Sequence, residues 1–141
     1  ASAIVLCVFF ASPGVSKSTV SDARLGTHPG ITRLVLDVDQ IVPYKIFTLS
    51  APYRVVIDFP ALKWSVPKTD GRREVGVVSS YRYGLFQAGI SRLVIDVKEP
   101  VEVAQHKFLP INSFGKHRFL IDLKIVNKQA YRASKKSFQS C

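Results

Sequence analysis

Hydrophobic and polar positions alternate over short stretches of this chain, with the period of a strand rather than of a helix. In the stretch 32–38, Leu34, Leu36 and Val38 share one face while Arg33, Val35 and Asp37 share the other, because successive strand side chains point to opposite sides. The same split sets Val55, Ile57 and Phe59 against Arg54, Val56 and Asp58, and Leu93, Ile95 and Val97 against Arg92, Val94 and Asp96. In a fourth stretch Phe119, Ile121 and Leu123 oppose Arg118, Leu120 and Asp122. β-Branched and aromatic residues are frequent in all four, which suits half-buried strands. The pattern predicts strands near 21–26, 32–38, 44–49, 53–59, 75–84, 91–97, 101–109 and 117–125. Turn chemistry separates them, at His28-Pro29-Gly30, Val42-Pro43, Ala51-Pro52, Glu99-Pro100 and Asn112-Ser113-Phe114-Gly115.

These stretches are copies of one another. Gly30-Ile31-Thr32-Arg33-Leu34-Val35-Leu36-Asp37-Val38 returns 59 residues later as Gly89-Ile90-Ser91-Arg92-Leu93-Val94-Ile95-Asp96-Val97, with seven of nine positions identical. Arg-apolar-apolar-apolar-Asp recurs at 54–58 and 118–122, and Arg24-Leu25-Gly26 matches Arg82-Tyr83-Gly84. Internal repeats decide architecture before anything else. The expected fold is all-β: a β-sandwich of two pseudo-symmetric four-stranded sheets from an internal repeat, each half giving four strands and burying its apolar face on the other. The connector 60–74, with Trp64, Pro67, Asp70-Gly71 and Arg72-Arg73, reads as the crossing between halves.

Charge narrows the partner. The 141 residues carry a net charge of +10, and the first 23 hold only Lys17 and Asp22, which cancel. The folded part is therefore basic, and its partner is expected to be anionic: nucleic acid, a membrane surface or a cell-wall polymer. Ala3-Ile4-Val5-Leu6-Cys7-Val8-Phe9-Phe10-Ala11 is too short an apolar run to span a bilayer and suits a signal-peptide core. Residues 1–23 are read as a signal peptide with an incomplete start, ending at Ser21-Asp22-Ala23. Cys7 falls inside it and Cys141 is the last residue, which leaves no disulfide for the mature domain. Ile4-Val5-Leu6-Cys7 lacks the small residue that lipoprotein processing wants, so no stable membrane anchor is expected. The domain is placed at 24–125. Residues 126–141 follow as a basic tail expected to be mobile, since Lys124, Lys128, Arg132, Lys135 and Lys136 meet no acidic residue beyond Asp122.

The outer faces repeat a fixed triplet where an ordinary solvent face would have no fixed order. Arg33, Asp37, Arg54, Asp58, Arg92, Asp96, Arg118 and Asp122 are therefore the candidate ligand-binding residues. Arg33 and Asp37 stand about 13 Å apart on one strand at ~3.3 Å per residue and cannot pair with each other. They reach across strands, into solvent or to a ligand. A ladder of cross-strand Arg–Asp pairs is the structural alternative, each pair worth about 0.2–1 kcal/mol. Tight reversals at Val42-Pro43 and Ala51-Pro52 would make the second and fourth strands of a half run the same way, with their arginines at one height. Two guanidiniums at one level favour an anionic guest, which a guanidinium fork holds in bidentate fashion. Tyr53, Trp64 and Tyr83 are candidates for stacking on sugar faces.

No catalytic pattern stands out. His28, His106 and His117 are far apart and none has a Glu or His at metal-ligand spacing. His-Glu-x-x-His, Gly-x-Ser-x-Gly and Cys/His nucleophile patterns are missing from the sequence. The chain is expected to be no enzyme, with no catalytic residue, metal or cofactor. Nucleic-acid binding is one alternative, resting on Tyr81-Arg82-Tyr83 with Phe86 and on Tyr53-Arg54. Export would remove the chain from cytoplasmic nucleic acid, so no nucleic acid is expected as partner. Another alternative is an envelope protein–protein interaction module using a sheet edge.

Gly30-Ile31-Thr32-Arg33-Leu34-Val35-Leu36-Asp37, followed by Pro52-Tyr53-Arg54-Val55-Val56-Ile57-Asp58-Phe59-Pro60, resembles the AMIN domain. That module stands at the N-terminus of exported N-acetylmuramoyl-L-alanine amidases and of some outer-membrane secretin components. The resemblance covers roughly residues 23–125 and implies two symmetric four-stranded sheets. It further implies a non-catalytic domain that binds peptidoglycan and localises a cell-wall amidase in wall remodelling and cell separation. Its implied place is the periplasm, with peptidoglycan as partner and envelope or cell-division proteins as possible others. Such amidases carry a zinc hydrolase domain downstream, for which this sequence has no room.

Overall fold

The computed structural model describes residues 17–67, 74–133 and 138–140. In chain order these form β1 (Ser18–His28), β2 (Ile31–Val38), β3 (Tyr44–Leu49), β4 (Arg54–Pro60), β5 (Leu62–Trp64), β6 (Val78–Gln87), β7 (Ile90–Val97), β8 (Val101–Leu109), β9 (His117–Ile125), α1 (Lys128–Ala133) and β10 (Phe138–Ser140). The strands make two five-stranded sheets, ordered β5-β1-β2-β9-β8 and β10-β3-β4-β7-β6. The fold is all-β, as expected, but each sheet has five strands rather than four. The strand sharing differs as well: β1 and β2 pair with β9 and β8, whereas β3 and β4 pair with β7 and β6. The reason is visible at residues 39–43. Five residues are far more than a tight reversal needs, and Val42 is buried in the core on the way, so the chain crosses to the other sheet. The extra strands are short pieces on edges: β5 runs parallel to β1 and β10 antiparallel to β3, satisfying backbone groups that an edge leaves open.

Strict alternation puts one face of each strand inside. Leu34, Leu36 and Val38 meet Val55, Ile57, Phe59, Leu93 and Ile95 across the sandwich, with Phe119, Ile121 and Leu123 in the same cluster. Val56 and Leu120 point outward and are buried all the same. Each lies between two rung neighbours, Phe47 and Val94 for Val56, Val35 and Lys107 for Leu120. Gly30 and Gly89 close the two-residue turns before β2 and β7 with φ of 74° and 80°, a left-handed conformation that favours glycine.

Both ends of the chain differ from expectation. The leader read over residues 1–23 lies outside the described residues as far as residue 16. From Ser18 the chain is already β1, with Val20 and Ala23 in the core. The basic tail, expected to be mobile, packs on the sandwich where it is described. Tyr131 of α1 is buried; its hydroxyl donates to the Leu49 carbonyl and its ring meets Tyr53 edge-on at 5.2 Å. Two aromatic anchors, Tyr131 and Phe138, hold this segment despite its charge, the second lying 4.9 Å from the His106 ring.

Candidate functional site

The register assembles the outward side chains into rungs across each sheet. On the first sheet Arg33 stands opposite Asp122, and Asp37 opposite Arg118. On the second, Arg92 stands opposite Asp58, and Asp96 opposite Arg54. All eight candidate residues are thus on outer faces, each arginine facing an aspartate. The expectation of arginines at one height fails, because β2 and β4 lie in different sheets and each central pair is antiparallel.

Two of the four rungs close into bidentate ion pairs. Arg33 donates from Nε and Nη2 to the two Asp122 oxygens at 2.7 and 3.0 Å. Arg92 does the same to Asp58 at 2.7 and 2.9 Å. The carboxylates are the buried partners: the Asp122 side chain is 2% exposed against 32% for Arg33. Asp122 raises the Arg33 pKa above its already high ordinary value through the hydrogen bond. Side-on pairing uses Nε and one terminal nitrogen, so further N–H groups remain on each guanidinium. Arg92 is also fixed over aromatic faces, 3.5 Å from the Phe86 centroid and 5.3 Å from that of Phe47, a cation–π arrangement.

The other two rungs stay open. Asp37 accepts instead from both terminal nitrogens of Arg24, at 2.8 and 2.9 Å, while Asp22 takes Arg24 Nη1 at 2.6 Å. The Asp37 hydrogen bond, aided by Asp22, raises the Arg24 pKa further. Arg118 is left with a buried Nε that has no partner among the described residues. Asp96 accepts from Ser80 Oγ at 3.3 Å and lies 3.7 Å from Arg82 Nη2, while Arg54 donates to the Pro52 carbonyl at 3.1 Å. Arg24 and Arg82 therefore complete the faces and were missed as site residues. Their signal was the matching Arg-x-Gly tripeptides, which place them one strand outward of Val35 and Val94.

The aromatic candidates are engaged internally. Trp64 stacks on Tyr83 at 4.4 Å, and the Tyr83 hydroxyl donates to the Val66 carbonyl. Tyr53 packs on Tyr131. Of the histidines, His106 shares a 2.7 Å hydrogen bond with the Tyr44 hydroxyl. Burial lowers the His106 pKa and raises that of Tyr44. Among the described residues no three His, Cys, Asp or Glu side chains gather as a metal site. What the outer faces offer chemically is oriented guanidinium groups on two opposite surfaces.

The family model of the AMIN domain matches residues 22–123. No curated protein matches the chain.

Proposed function

The chain belongs to the AMIN domain family, whose members are known as non-catalytic domains that bind peptidoglycan and target amidases, and we propose that it does so too. It serves as the peptidoglycan-binding and localisation domain of an exported cell-wall amidase, acting in the periplasm in wall remodelling and cell separation. The observation that carries this reading is the placing of six arginines on the outer faces, three to a sheet. Arg24, Arg33 and Arg118 lie on the first, and Arg54, Arg82 and Arg92 on the second. Carboxylates in stem peptides suit guanidinium forks. Aspartates already hold Arg33 and Arg92 in place, so ordering these two on ligand binding costs little.

Arg54 and Arg118 separate recognition from structure, because neither side chain is bonded to a carboxylate among the described residues. In co-sedimentation with purified sacculi, the Arg54→Ala/Arg118→Ala double variant is expected to bind at least about tenfold more weakly, since each charged hydrogen bond lost is worth about 1.5–3 kcal/mol. Unaltered binding by a folded double variant would remove these faces from the site.

A further inference from the structure

Six large hydrophobic side chains stand exposed among the described residues: Ile41, Leu85, Phe86, Ile111, Phe114 and Ile125. Topology gathers five of them at one end of the sandwich. Val38 and His117 form the last rung of the β2–β9 pair, and from it leave the loop 39–43 with Ile41 and the loop 110–116 with Ile111 and Phe114. The β6–β7 turn, preceded by Leu85 and Phe86, reaches the same end. It is tied there by the Ala61 amide, which donates to the Gly89 carbonyl at 2.9 Å, just before Leu62 pairs with Ser18 at the start of β1. Only Ile125 lies at the opposite end.

The most exposed of these side chains is held out by a built loop. Asn112 Oδ1 accepts from the Phe114 and Lys116 amides, both at 3.0 Å, and Asn112 and Lys116 also bond through their backbones at 2.8 Å. Phe114 stands at the apex, 85% exposed. A floppy loop would let such a ring fold back onto the protein; this one keeps it in water. Basic residues surround the end. Lys17, Lys45, Lys63 and Lys116 lie at the starts of β1, β3, β5 and β9, and none is in an ion pair among the described residues. The nearby Asp39 is half-buried beside Lys17 and Lys63, its Oδ1 accepting the Thr19 amide at 2.9 Å.

We propose that this end docks reversibly on an anionic phospholipid bilayer, Phe114, Ile111 and Ile41 entering the interface while the lysines meet the headgroups. Shallow apolar insertion combined with basic side chains is the physical recipe for peripheral binding without an anchor. A protein partner would need acidic groups of matching layout, whereas a charged leaflet asks only for the sign of the charge and an apolar tip. Docking by the end leaves both arginine faces upright and open, so a leaflet and the wall can be engaged together.

The test is co-sedimentation of the whole chain with vesicles of phosphatidylglycerol and of phosphatidylcholine. The chain is expected to bind the first, less so as salt screens the charges, and to ignore the second. Phe114→Asp is expected to lose about tenfold in vesicle affinity, the order expected from withdrawing one large apolar side chain. Ile111→Ser should lose less, and both variants should keep their binding to sacculi and their circular dichroism. Failure of the unaltered chain to bind phosphatidylglycerol, or equal binding by Phe114→Asp, overturns the proposal. So does a dimer, seen by sedimentation velocity, that Phe114→Asp dissolves without vesicle binding; a second copy would then cover the tip.

Discussion

Asp122 is a carboxylate held almost out of water, with Arg33 supplying most of its compensation. Removing the arginine strands that charge. Breaking a wholly buried pair costs about 3–5 kcal/mol, and because Arg33 remains a third exposed we expect Arg33→Ala to cost about 2–3 kcal/mol in urea denaturation. A loss under 0.5 kcal/mol, ordinary for a surface change, would show the pair to be incidental. Alternation alone told that Arg33 points outward. It was silent on which carboxylate Arg33 meets, since Asp122 is 89 residues away and only the pairing of β2 with β9 brings it there. His106 adds a pH dependence. Burial lowers its pKa from 6.5, so the unfolded chain binds the proton more readily than the folded one. Stability is complete above that value and falls as pH drops below it. The thermal midpoint should decline as pH falls below 6.5, and His106→Gln should flatten that slope; an equal slope in the variant would assign it to other groups.

At the scale of elements, β3, β8 and β9 have the bounds that periodicity predicts, and β2 and β7 begin only one residue earlier. Of these, β2 and β7 alternate cleanly because each has one dry face. What escaped was β5, β10 and α1, pieces of three to six residues. Such pieces are too short to show a period, and pairing with a neighbour decides their conformation. The exchange of hairpins between sheets was equally hidden, because the same in-out pattern serves either arrangement. Gly76 shows how closely the elements meet: a Cβ there would lie 2.2 Å from Thr32 Oγ1, the oxygen that accepts the Val77 amide. The central strands should carry the stability. Leu36→Ala, on the inner face of β2, should cost about 2–5 kcal/mol through lost burial and a cavity, read as a lowered denaturation midpoint with unchanged slope. A cost near zero would mean that the two sheets do not close on that residue.

On the scale of the whole molecule, the sandwich buries its apolar faces and turns its arginines to opposite outer surfaces. The net charge of +10 is thus organised, and in the function proposed it recognises wall carboxylates. Binding to sacculi whose free carboxyl groups have been amidated, compared with untreated sacculi at low ionic strength, measures this most directly. Clear binding to untreated sacculi is expected, with a loss of about tenfold or more after amidation, because charge-assisted hydrogen bonds are removed. Equal binding to both, or binding to DNA with none to either, would contradict it.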